Sequence, residues 1–236
     1  MAEEYGIKVY NKNFEVAESS DIIFLSVKPG NLGEVLADIA PGVSPGTESK
    51  LIVSVVAGKT TTFIRDALTE AGLSGTVPVI RTMPNTPALV GQGAIGIYYD
   101  HGIPEEKLIL VRLVLSSIGT VVEIRDEALL NAVTGLSGSG PAYVFLFMDA
   151  MVKAGVNAGL SEDDARVLAL KTTLGAATLA TKSEKSLQEL IDMVTSPGGT
   201  TIEGLKALRA AGFEGAIDEA VRAATEKSVE LSAEKK

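Results

Sequence analysis

The sequence predicts an α/β half built on a mostly parallel sheet, followed by an all-helical half. Three observations carry that prediction. Up to about residue 124, apolar runs of strand length alternate with helical patterns, the order that gives parallel strands with helices on their faces. From Asp126 onward the apolar spacing is helical and no strand pattern recurs. At the join, Thr134-Gly135-Leu136-Ser137-Gly138-Ser139-Gly140 packs hydroxyls and glycines into a tight turn, and Pro141 launches a helix that is apolar nearly all round.

Taken in order, Asp21 to Val27 reads as a buried strand, as do Leu51 to Val56 and Val77 to Thr82. Helical patterns lie between them at Asn31 to Ile39 and Thr60 to Ala71. Gly93 to Tyr99, a helix over Pro104 to Ser117 and a strand at Val121 to Ile124 complete this half. Helices then follow at 126–134, 141–157, 161–181, 187–194, 200–211 and 214–234, with a frayed Glu234-Lys235-Lys236 tail. Ser161 with Asp164, Ser186 with Glu189 and Thr200 with Glu203 have the spacing of capping boxes. The helix from Pro141 is interrupted only by Asp149 and Lys153, placed in the favourable order for a helix pair. So apolar a helix belongs in a core or at a subunit interface.

At 236 residues the chain can bury a sizeable core and hold one large or two smaller domains. Hydrophobic residues make up 46% of it, which argues against disorder. No uncharged apolar run reaches the roughly 18 residues that a membrane span requires. The acidic start Met1-Ala2-Glu3-Glu4-Tyr5 lacks a signal peptide's basic region and apolar core. There is no Cys and a single His, His101, so thiolate and His-rich metal sites are excluded. A net charge of −9 weighs against nucleic acid and anionic membranes as partners. The expectation is a soluble cytoplasmic protein without a metal site.

Open α/β sheets bind ligands at the carboxyl ends of their strands. Ser26-Val27-Lys28-Pro29 ends the first strand, Val55-Val56-Ala57-Gly58 the second and Arg81-Thr82-Met83-Pro84-Asn85-Thr86-Pro87 the third. Lys28 or Arg81 could meet a phosphate, and Ala57-Gly58 lets backbone approach a flat ring closely. In the helical half, Thr195-Ser196-Pro197-Gly198-Gly199-Thr200-Thr201 opens a helix as a donor-rich start. With the Thr134–Pro141 turn it is suited to holding a carboxylate. Taken singly, these stretches also read as a solvated turn, a proline-fixed loop and a capped helix–helix turn. Three such loops on one sheet edge favour a site. His101 reads as a surface turn and Asp163-Asp164 as capping charges, and no nucleophile–base pair can be assembled around one His. Hydroxyls and backbone donors without a strong acid or base suit hydride transfer, in which a cofactor carries the chemistry and the protein orients it.

Thr134 to Phe145, Val194 to Glu203 and Met83 to Pro87 together resemble pyrroline-5-carboxylate reductase, and the likeness runs from about Tyr5 to the C-terminus. The run Asp192-Met193-Val194-Thr195-Ser196-Pro197-Gly198-Gly199-Thr200-Thr201-Ile202 is similar to that family's signature. The resemblance implies reduction of the cyclic imine 1-pyrroline-5-carboxylate to L-proline by NADPH or NADH, the last step of proline biosynthesis. It implies a Rossmann-like domain over 1–125 and an all-helical domain over 126–236 that interlocks with a second subunit, the dimers often building larger rings. It places Ser26, Val27, Lys28 and Pro29 beside the cofactor, Asn13 near the adenosine, and Ala57 and Gly58 near the nicotinamide. Ser196, Thr200 and Thr201 would hold the substrate carboxylate, and Thr134 would hydrogen-bond the imine nitrogen as the catalytic residue.

The family pattern opens with a strand, a Gly-x-Gly-x-x-Gly turn and a helix that carry the cofactor pyrophosphate. No stretch here matches that unit. Gly91-Gln92-Gly93-Ala94-Ile95-Gly96 has the wrong spacing and opens a strand. The expected fold is therefore an incomplete Rossmann-like sheet that leaves the strand at Asp21 to Val27 as an edge. The leading reading is a reductase lacking that unit. One alternative is a cofactor-incompetent remnant that only dimerises through its helices. Another is a β-hydroxyacid-type dehydrogenase, which would want a catalytic Lys, but Lys153, Lys171 and Lys182 lie in helix patterns that read as structural or solvated.

Overall fold

The computed structural model describes residues 2–43, 50–100 and 102–233, so the expectations for His101 and for the Glu234-Lys235-Lys236 tail lie outside the described residues. Two units form. One takes in the chain up to Ser139 and again from Arg222, and the other runs from Gly140 to Val221.

In the first unit the apolar runs become β1 (Ile22–Leu25), β2 (Leu51–Ser54), β3 (Val79–Met83), β4 (Gly93–Tyr99) and β5 (Gly119–Glu123), in that spatial order. The first three are parallel, β4 returns antiparallel to β3, and β5 is parallel to β4. Among the described residues they are accompanied by α1 (Ala2–Tyr5), α2 (Asn13–Glu18), α3 (Leu32–Ile39), α4 (Thr61–Glu70), α5 (Glu105–Ser116) and α6 (Leu130–Val133). All four residues of β2 are buried, as suits a parallel strand covered on both faces. At the end of the sheet, β1 alternates and leaves Phe24 41% exposed.

Successive strand residues point to opposite faces, and the core divides accordingly. Ile23, Leu25, Ile52 and Val79 pack with Leu32, Leu36 and Ile39 of α3 and with Ile64 and Leu68 of α4. Leu51, Val53, Ile80, Ile95 and Ile97 pack on the other side with Leu108, Val111 and Leu115 of α5. The three- and four-residue spacing of those helix positions makes one apolar stripe on each helix. Each fully buried Leu or Ile contributes about 1.5–3 kcal/mol.

Two departures from the sequence pattern have a local physical cause. The last strand starts at Gly119, not Val121, because Gly93 and Gly119 pair in register with so little space that a Cβ on Gly119 would lie 2.1 Å from the Gly93 oxygen. The helical pattern at 126–134 is broken as well. Asp126 Oδ1 accepts the Ala128 N–H at 2.9 Å and winds a 3₁₀ turn over Glu127–Leu129 before α6. α6 then runs into a single π-helical turn, Thr134–Gly138, closed by the Ser139 N–H donating to the Thr134 carbonyl at 2.8 Å. The tight turn expected here is thus a helical path. The Ser139 N–H is already bonded and Pro141 has none, so neither contributes a donor at the start of this helix.

The second unit contains α7 (Gly140–Asn157), α8 (Glu162–Lys182), α9 (Leu187–Met193), α10 (Thr200–Ala210) and the first part of α11 (Phe213–Ala233). Gly155 lets α7 and α8 approach, since a Cβ there would lie 3.0 Å from the Ala165 Cβ. Ser161 caps α8 by accepting the Asp164 N–H at 3.1 Å, and Ser186 and Glu189 form both halves of a capping box on α9. Thr200 does not cap α10. Gly199 holds that position at φ −80° and ψ 165°, after Gly198 turns the chain at φ +71°. A Cβ at Gly199 would lie 2.4 Å from Ser196 Oγ and 3.0 Å from the Ser196 carbonyl oxygen, so the corner is tight, and Thr200 becomes the first helical residue. The Asp149–Lys153 pair forms at 2.6 Å on an exposed face. α7 buries none of its residues within the chain and leaves Phe145 62% and Leu146 70% exposed. Its apolar surface is therefore a surface for a partner.

Candidate active site

Because β1, β2 and β3 are parallel, the loops that follow them open on one edge of the sheet. After β1, Ser26, Lys28 and Pro29 are exposed, Val27 packs on the core beneath, and Pro29 begins a 3₁₀ turn into α3. Asn13 is exposed at the start of α2. After β2, Ala57 is exposed whereas Gly58 is buried at φ +72°. A Cβ on Gly58 would lie 3.4 Å from the backbone of Leu231, so the end of α11 occupies the close approach that this glycine permits. Asn131 fixes that end: its Oδ1 accepts from Ser228 Oγ at 2.8 Å and Ser232 Oγ at 3.2 Å, while its Nδ2 donates to the Ala128 carbonyl at 3.1 Å.

Arg81 is only 5% exposed and donates through Nη1 to Glu127 Oε1 at 3.2 Å. The same carboxylate accepts the Thr61 N–H at 2.7 Å and the Thr61 hydroxyl at 3.0 Å. A buried guanidinium needs such a partner. The expectation that Arg81 meets a phosphate is therefore corrected, whereas Lys28 is exposed. Opposite Arg81 on β4, Tyr98 donates to Asp100 Oδ1 at 2.6 Å. That bond, followed by burial, pushes the phenol up to about 12.

The loop after β3 is fastened by one side chain. Asn85 Oδ1 accepts the Ala94 N–H at 2.9 Å, and its Nδ2 donates to the Ser137 carbonyl at 3.0 Å. Asn85 thereby joins the loop to the start of β4 and to the π turn. On that turn, the Thr134 hydroxyl donates to the Leu130 carbonyl at 2.8 Å. With its proton so directed, the Thr134 oxygen has lone pairs left to accept a hydrogen bond from a ligand.

Ser196, Thr200 and Thr201 lie in the second unit at the start of α10 and are exposed. No side chain caps that 11-residue helix, so its first-turn N–H groups have no capping acceptor. Glu127, the bridging role of Asn85 and Asn131 had no signal in the sequence beyond an acid near a helix start and an amide between prolines. Among the described residues no group of three or more His, Cys, Asp or Glu is placed to hold a metal ion, and no helix is long and apolar enough to cross a membrane.

Residues 127–231 match the family described as "Pyrroline-5-carboxylate reductase dimerisation", and residues 1–58 match "NADP oxidoreductase coenzyme F420-dependent". The chain is 43% identical to the pyrroline-5-carboxylate reductase of Pseudomonas aeruginosa, covering 98% of this chain and 82% of that one. It is also 43% identical to the enzyme of Pisum sativum, with 98% and 81% covered. The solved pyrroline-5-carboxylate reductase of Coxiella burnetii superposes with a TM-score of 0.90 at 32% identity, covering 99% of this chain and 84% of that one. The Plasmodium falciparum pyrroline carboxylate reductase, solved with NADP bound, superposes with a TM-score of 0.83 at 33% identity, covering 95% and 82%.

Proposed function

The chain belongs to the pyrroline-5-carboxylate reductase family, and from that premise we propose how its residues divide the work. The reaction is the NAD(P)H-dependent reduction of 1-pyrroline-5-carboxylate to L-proline. This membership favours the reductase over a module that only dimerises.

Residues 1–125 form the cofactor half and 126–236 the substrate and dimerisation half. Ser26, Lys28 and Asn13 are exposed as a hydroxyl, a cation and an amide, a donor set that fits a phosphate-bearing dinucleotide. Val27 and Pro29 set the path of the loop after β1, and Ala57 with Gly58 form the wall for a flat ring. A bound nicotinamide supplies the hydride. Ser196, Thr200 and Thr201 hold the substrate carboxylate on the uncapped first turn of α10.

Thr134 acts as an acceptor. Its proton is directed at Leu130, so its oxygen receives the N–H of an imine that is already protonated. Hydride addition at the imine carbon then gives the neutral amine, and the chain need not supply a strong acid. The observation that carries this reading is the fastening of the Thr134 turn by Asn85 to the edge where the β1, β2 and β3 loops open.

The chain acts in the cytoplasm as a homodimer or larger homo-oligomer through the exposed face of α7 and α8. Its charge of −9 disfavours nucleic acid as a partner. Paired variants test the assignment. Thr201→Ala raises KM for pyrroline-5-carboxylate and weakens proline binding, whereas Thr134→Val lowers kcat and leaves NADPH affinity unchanged. Unaltered affinity for proline in Thr201→Ala would remove α10 from the site.

A further inference from the structure

The geometry points to Glu127 as a positioning residue that sets the spacing between the Ala57–Gly58 loop and Thr134. It rests on the reading that this loop faces the nicotinamide and Thr134 the imine. The start of α4 already has its own cap, because Thr60 Oγ1 accepts the Phe63 N–H at 3.0 Å. The Glu127 carboxylate, 66 residues away, adds two more bonds at the next residue, 2.7 Å to the Thr61 N–H and 3.0 Å to its hydroxyl. Helix capping does not require that second acceptor. What it does is tie α4 to a distant segment.

Both ends of the tie lie close to the proposed chemistry. Thr61 follows Gly58 by three residues, and Glu127 precedes Thr134 by seven. The intervening chain is a 3₁₀ turn, α6 and the π turn, held midway by the bond between Asn131 and Ser228 at 2.8 Å. Arg81, 5% exposed on β3, orients the carboxylate from a third direction. A shift at Thr61 or Glu127 is therefore passed along short, bonded segments to the groups that frame hydride transfer. A misplacement of about 1 Å costs on the order of a hundredfold in rate.

Thr61→Pro tests this. It stands at the first helical position, where Pro is favoured, and Thr60 is already extended at ψ 162°, as a residue before Pro must be. The substitution keeps the helix and deletes both donors to Glu127. The expected result is a fall in kcat of roughly tenfold or more, an unchanged KM for pyrroline-5-carboxylate, and a larger primary isotope effect with C4-deuterated NADPH. In the free protein, amides from Ala57 to Phe63 exchange faster in both Thr61→Pro and Glu127→Gln. Unchanged exchange in this stretch overturns the inference irrespective of turnover, as does faster exchange with kcat and isotope effect unmoved. Thr134→Val separates the two levels. If it leaves kcat intact, the reading of Thr134 falls and this inference with it. If it lowers kcat while Thr61→Pro does not, the positioning role alone falls.

Discussion

Asn85 donates to the carbonyl of Ser137 at 3.0 Å while its other side-chain atom accepts the Ala94 N–H at 2.9 Å. This amide is what brings the proline-fixed loop after β3 and the Thr134 turn to one place. Asn85→Asp keeps an acceptor for Ala94 but turns a second acceptor toward the Ser137 carbonyl. Stability should fall by about 1–3 kcal/mol, with a fall in kcat that exceeds any change in NADPH affinity. Denaturant melts and steady-state kinetics check it, and wild-type kcat in Asn85→Asp would show that the bond does not place the turn.

Gly119→Ala addresses the fold. Its Cβ would lie 2.1 Å from the Gly93 oxygen and 2.5 Å from the Gly93 Cα, and backbone cannot rotate away as a side chain can. The expected loss is about 3 kcal/mol, or roughly 10 °C in Tm for a chain of this size. Thermal unfolding measures it, and an unchanged Tm would contradict the paired-glycine start of β4 and β5.

Leu146→Asp tests the surface for a partner. Leu146 is 70% exposed within the chain, so an aspartate costs the isolated fold little but places a charge in the proposed subunit contact. Sedimentation should report the mass of a single chain with the helical circular dichroism retained. An unchanged dimer mass would remove α7 from the interface.

Tyr98 supplies a pH prediction. Its phenol is pushed up to about 12, first by the hydrogen bond to Asp100 and then by burial. A group whose folded pKa is raised contributes stability below its unfolded value, near 10 for tyrosine. That contribution is lost as pH rises through about 12. Asp100→Ala removes the first cause, so phenolate absorbance should appear at lower pH in the variant. Coincident alkaline titrations would show that Asp100 does not set the shift.

The strands were legible because continuous apolar runs such as Leu51–Ser54 admit few other readings, and the capping box at Ser186 and Glu189 formed as its spacing required. Thr200 carried the same spacing and did not cap, because Gly198 and Gly199 turn the corner one residue earlier than the pattern assumes. Arg81 looked like an anion ligand at a strand end. Its partner Glu127 lies 46 residues away and is met only through tertiary folding. The π turn was likewise hidden, since a run of hydroxyls and glycines suits a loop equally well. The strand ends could be placed from the sequence, whereas the bonds that fasten the loops beyond them come from long-range contacts.

The most direct measurement is NADPH oxidation by the purified chain, folded and of known mass, with pyrroline-5-carboxylate as the added substrate. The account predicts one proline formed for each NADPH consumed, with turnover lowered by Thr134→Val and substrate saturation weakened by Thr201→Ala. A folded, dimeric sample that forms no proline, or whose turnover ignores both substitutions, would contradict it.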